Sequence, residues 1–145
     1  MNLEVTQEFS NSLYWISLVA VVVSSASGVL KSGFRKFDLF GVIIIAITTG
    51  LGGGSLRDML LDVDVFWIKD QVFFIASLVS AIIIFVGARL FSISPKLFLI
   101  PDAAGLAAFS VAGTMVALVA EAPWLIASFM GMITGAMGGI FRDLL

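Results

Sequence analysis

Residues 49–60 read TGLGGGSLRDML, and residues 134–145 read TGAMGGIFRDLL. Between positions 49 and 134 the offset is 85 residues, and it holds throughout the phrase. Gly50 matches Gly135, Gly53-Gly54 matches Gly138-Gly139, and Arg57-Asp58 matches Arg142-Asp143. The match persists upstream, where Ala46 aligns with Gly131 and Gly28 with Gly113. An internal repeat sets the architecture before any single residue does.

The surroundings of the two copies are apolar. The chain is 60% hydrophobic and 12% charged, about half the charge of a soluble domain. Charges divide it into five uncharged stretches, 9–30, 39–56, 71–88, 103–120 and 122–141. Each approaches the ~20 residues that a helix needs to cross a hydrocarbon core. The composition therefore predicts an all-α polytopic membrane protein. Glu4 and Glu8 precede the first span where a signal peptide would carry Lys or Arg, so that span is kept as a membrane helix. Pro101 and Pro123 mark helix starts, where a missing N–H costs nothing.

Basic residues set the direction. Lys31, Arg35 and Lys36 follow the first span, and Arg89 and Lys96 follow the third. These five of the eight Lys and Arg residues place both loops in the cytoplasm and the N-terminus outside. The loop after the second span is acidic, with Asp58, Asp62, Asp64 and Asp70, and its Phe66 and Trp67 are expected as aromatic anchors at the outer interface. An offset of 85 residues contains three spans, and an odd number inverts the second copy in the membrane. The fold predicted is an inverted repeat of three-helix units, 1–91 and 92–145, as in many transporters and some channels. A counterpart of the third span is expected after Leu145, so the second repeat is incomplete and the chain reads as part of a longer protein.

Ala46, Gly50 and Gly54 fall at four-residue spacing, as do Gly131, Gly135 and Gly139. Such spacing lets helix backbones approach, and a packing seam is one reading. The run Gly52-Gly53-Gly54 exceeds what a seam requires. Each glycine weakens a helix by about 1 kcal/mol relative to alanine, so kinks are predicted in the second and fifth helices. Carbonyls freed there, with the hydroxyls of Thr48, Thr49, Ser55 and Thr134, would suit a small cation or a small zwitterion. Arg57, Asp58, Arg142 and Asp143 read either as interfacial ion pairs or as a charged gate or vestibule, with each Arg able to pair with the Asp of the other repeat. Asp102 reads as a helix cap or as a member of the same vestibule; its repeat counterpart is the uncharged Ser17. Ser24, Ser25, Ser27 and Ser110 form a modest polar stripe.

No histidine or cysteine is present, which removes the commonest general base and the cysteine metal sites. No Gly-Lys-Ser/Thr follows the glycines, so a P-loop is excluded. With a net charge of −2 and scattered cations, nucleic-acid binding has no footprint. No enzyme activity, cofactor or metal is expected.

The stretch TTGLGGGSLRDMLLDVDVFWIKD (48–70), with DAAGLAAFSVAGT (102–114) leading to the second copy, resembles a bacterial membrane family with a repeated glycine-triplet-Arg-Asp motif. That family includes the prokaryotic relatives of the trimeric intracellular cation (TRIC) channels, and some members are described as glycine transporters. The resemblance covers nearly the whole chain. It implies a bacterial inner-membrane homotrimer with one pore per protomer, two three-helix repeats and a seventh helix. The kinked second and fifth helices would line the pore at Gly52, Gly53, Gly54, Arg57 and Asp58, and at Gly138, Gly139, Arg142 and Asp143. Met137 departs from the pattern, standing where the second triplet has its first glycine. Three functions follow: a passive K⁺ or Na⁺ channel, a secondary transporter of glycine or another small solute, and a structural membrane subunit. The helix interiors hold no coupling carboxylate, which favours the channel.

Overall fold

The computed structural model describes residues 3–32, 38–90 and 95–145 and turns the five apolar stretches into five long helices. In chain order they are α1 (Leu3–Ser32), α2 (Leu39–Leu60), the single-turn α3 (Phe66–Lys69), α4 (Val72–Leu90), α5 (Leu99–Val119) and α6 (Trp124–Leu144). A 3-10 turn at Pro95–Phe98 leads into α5. The second and fifth predicted spans are thus α2 and α6. Helices satisfy their own backbone groups, which is what lipid demands of a spanning segment. Arg35 and Lys36, which carry much of the predicted orientation, lie outside the described residues.

The helices run past the boundaries read from charge. α2 continues through Arg57 and Asp58 to Leu60, because the two charges neutralise each other on the helix. α5 starts at Leu99 rather than beyond Asp102, with Pro101 in its first turn. Asp38 caps α2, its carboxylate accepting from the Gly41 N–H at 3.0 Å. The ends of α2 and α5 share one device. Asp62 (φ 54°) and Glu121 (φ 60°) adopt the left-handed conformation. The next N–H reaches back, Val63 to the Asp58 carbonyl and Ala122 to the Ala117 carbonyl, each at 3.0 Å. These are Schellman closures, which satisfy the last carbonyls.

α4 packs against α1 and α2, α5 packs against α6 and α1, and α2 meets α6. The start of α1 and the end of α6 fall at opposite ends of the bundle, called here the N-terminal and C-terminal ends. Small side chains let α1 serve as the common neighbour. Ala20 and Val21 pack with Leu51, Phe73 and Phe109, and Val29 packs with Val42, Ala46, Ala81 and Phe85. The serine stripe is structural in part: Ser25 shares a 2.8 Å hydrogen bond with Ser77 of α4, and Ser80 donates to the Val22 carbonyl at 2.8 Å. Large apolar side chains cover the outside, including Trp15, Phe40, Ile83, Leu90 and Trp124, as a lipid-facing surface requires.

Candidate functional site

The two glycine motifs meet where α2 crosses α6, and both helices run on unbroken through their glycines. A Cβ added at Gly53 would lie 2.2 Å from the Thr134 carbonyl oxygen. One added at Gly138 would lie 2.6 Å from the Thr49 carbonyl oxygen. Thr49 and Thr134 are repeat counterparts, as are Gly53 and Gly138, so one contact is the image of the other. The pseudo-two-fold axis therefore passes through this crossing. The same symmetry governs the flanks. Gly50 abuts Ser25 as Gly135 abuts Ser110, and Gly28 abuts Thr49 as Gly113 abuts Thr134.

The threonine hydroxyls turn back into their own helices. Thr49 donates to the Ile45 carbonyl at 2.7 Å and Thr134 to the Met130 carbonyl at 2.6 Å. Thr48 donates to the Ile44 carbonyl in the same manner. Gly52 faces the Phe141 ring, and Gly54 is filled by Phe66. Ser55 donates to the Leu51 carbonyl and accepts from the Trp67 indole at 2.8 Å. Gly139 is half-buried near the Arg142 guanidinium.

Phe66 and Trp67 are half-buried and pack against the bundle. Phe66 packs edge-on to Phe73 and lies under the Arg57 guanidinium, while Trp67 stacks on Phe74. The cause is local: Gly54 leaves the space that Phe66 fills, and the Ser55 hydroxyl offers the indole an acceptor.

Each arginine sits one turn beyond the crossing and pairs within its own repeat, not across repeats. At the N-terminal end Arg57 is 4% exposed and Asp58 1%. Nε and Nη2 of Arg57 both reach Oδ1 of Asp58, at 2.7 and 2.6 Å. Oδ2 of Asp58 accepts from the Phe66 N–H at 2.9 Å and so anchors α3. At the C-terminal end Arg142 is also buried, and its cluster is larger. Nε reaches Asp143 at 2.9 Å, while Nη1 donates to Ser27 at 2.8 Å and pairs with Asp102. Lys31 pairs with Asp143, and the Phe98 ring lies under both cations. Asp102 thus accepts from Arg142 and Ser27 rather than capping α5. Sequence reasoning named Ser27 only in the polar stripe and Lys31 only for orientation, and it did not single out Phe98. The one available signal was the unequal pair Asp102 and Ser17 in otherwise matching repeats.

Among the described residues, an all-helical bundle with five helices long and apolar enough to span, two of them crossing on a pseudo-two-fold axis at a doubled glycine motif, defines a membrane protein of the inverted-repeat class. The chain matches the family described as "Glycine transporter" over residues 14–89 and 99–145, and it belongs to that family. It is 43% identical over 135 residues to the UPF0126 inner membrane protein YadS of Escherichia coli, covering 92% of this chain and 65% of that protein. A UPF0126 membrane protein of Vibrio cholerae is 40% identical, over 92% of this chain and 56% of its own length. The chain therefore spans about two thirds or less of these relatives. Among solved structures it superimposes on the TRIC trimeric intracellular cation channel orthologue from Rhodobacter sphaeroides with a TM-score of 0.85 and 31% identity, covering 92% of this chain and 69% of that one. A prokaryotic TRIC channel crystallised in 0.5 M KCl gives 0.84 and 25%, over 93% and 70%. The chain is a bacterial member of the family that includes the prokaryotic TRIC relatives.

Proposed function

We propose that the protein is a passive cation channel of the bacterial inner membrane, conducting K⁺ as a homotrimer with one pore per protomer. The observation that carries this reading is the likeness to TRIC channels over nine tenths of the chain, with the doubled glycine motif at the crossing of α2 and α6. In the proposed mechanism the conformation described is closed at that crossing, since each helix sets a carbonyl against a glycine of the other. Conduction requires α2 and α6 to part. The carbonyls of Thr49 and Thr134 would then replace part of the water around a permeant ion, as backbone carbonyls do in selectivity filters. The Arg57–Asp58 and Arg142–Asp102–Asp143 groups would hold the two sides of the crossing in their closed arrangement. The N-terminus would lie outside, so that Asp62, Asp64 and Asp70 concentrate cations at the outer mouth.

The test is K⁺ flux from liposomes containing the full-length protein, without any coupling gradient. Wild type should leak K⁺; in an assembled Gly53→Leu variant the leucine fills the space opened between α2 and α6, so the leak should be lost. A second reading, secondary transport of glycine, is favoured by the description of the family itself. Saturable glycine uptake driven by H⁺ or Na⁺, with no K⁺ leak, would replace the channel reading with that one.

A further inference from the structure

The two arginine clusters are images of each other under the repeat, yet they are not equally filled. Around Arg142 stand Asp102, Lys31 and Phe98. At the offset of 85 their counterparts are Ser17, Val116 and Leu13, and each is smaller than the residue it replaces. All three line a cavity of about 230 Å³ beside Arg57. Under the repeat the cavity therefore maps onto the positions of the Asp102, Lys31 and Phe98 side chains. Ala112 likewise stands where the repeat would place the counterpart of Ser27.

The chemistry of the missing group follows from the filled copy. Arg142 meets two carboxylates, Asp143 through Nε and Asp102 through Nη1, with Lys31 as a second cation on Asp143. Arg57 has only Asp58, through Nε and Nη2, and its Nη1 has no partner among the described residues. We propose that the Arg57 cavity binds a small carboxylate in the place that Asp102 occupies beside Arg142. The guanidinium offers a charge-assisted hydrogen bond, the strongest kind available to a carboxylate. Ser10 and Ser17 line the same space, and a serine hydroxyl can donate to the second oxygen. Apart from Tyr14, the other walls, including Leu13, Phe109 and Val116, are apolar, which suits a short hydrocarbon body and not a heavily hydrated one. A short-chain monocarboxylate meets both requirements. The site does not depend on what crosses the membrane.

The test uses thermal unfolding of the full-length protein in detergent, in potassium chloride and in potassium acetate or butyrate at equal ionic strength. Wild type should gain a saturable rise of about 2–5 °C in the carboxylate salts. Ser17→Asp supplies the carboxylate from within, so it should be more stable in chloride and lose the rise. Val116→Phe fills the cavity without charge and should lose the rise as well, which keeps the test open if the aspartate variant does not assemble. No rise in wild type over chloride, or a rise that persists in both variants, would overturn the site. So would a rise with phosphatidylglycerol and none with carboxylates, which would assign the cavity to a headgroup phosphate.

Discussion

Adding one methyl group at Gly53 tests the crossing directly. The new Cβ would stand 2.2 Å from the Thr134 carbonyl oxygen, where ordinary contact begins at 3.4 Å. The obstacle is backbone, so no side chain can swing aside, and α2 and α6 must separate by about 1 Å. Overpacking of this kind costs about 3 kcal/mol at the upper end of the usual range, and alanine returns about 1 kcal/mol of helix propensity. The expected net loss for Gly53→Ala is about 2 kcal/mol. At Gly138 the gap is 2.6 Å, and the expected net loss is about 1 kcal/mol. Gly87 in α4 has nothing within 4 Å, so Gly87→Ala should gain about 1 kcal/mol. The two crossing variants should also be sub-additive, since helices already parted for one methyl admit the other more easily. Thermal unfolding in detergent reads the series, at about 2–4 °C for each kcal/mol. A Gly53→Ala protein as stable as wild type, or less perturbed than Gly87→Ala, would refute the close crossing.

Asp102→Asn leaves the buried Arg142 short of a carboxylate; because Asp102 is itself one third exposed, the expected loss is about 1–3 kcal/mol, read as a lowered Tm. Ser55→Ala removes the acceptor of the Trp67 indole and should cost about 1 kcal/mol, with a change in tryptophan emission as the indole loses its partner. Glu121→Gly relieves a left-handed residue and should raise stability by about 1 kcal/mol; Asp62→Gly should gain less, because aspartate tolerates that conformation better.

The helices were legible because charge is scarce and lipid forbids it inside a span, so the stretches between charged residues approximate the spans. Their ends were less legible. Arg57 and Asp58 look like the edge of a loop when each is taken as a free charge; as a mutually neutralising buried pair they extend α2 by a further turn. The crossing was visible in the repeat itself, since Gly53 and Gly138 stand in matching phrases. The partners of the arginines were not visible. Adjacent residues point in different directions on a helix, yet the long Arg57 side chain bends back to its neighbour, which no spacing rule reports. The Arg142 cluster joins residues 40 and 115 positions apart, Asp102 and Ser27. Phe66 and Trp67 match the composition of an interfacial belt, and their packing follows from the space left by Gly54 and the acceptor offered by Ser55, which no composition reports.

The crossing also explains why the two halves could drift apart in some places and not in others. On the axis, Thr49 meets Gly138 and Thr134 meets Gly53, so each half is the other's template. A larger residue acquired at either glycine would collide with the opposite half, and no change confined to one copy could accommodate it. Away from the axis, the surroundings of Arg57 and Arg142 do not touch each other's images, and each was free to specialise. A duplicated gene under these rules keeps its crossing identical while its flanks diverge, and Ser17 and Asp102 record that divergence.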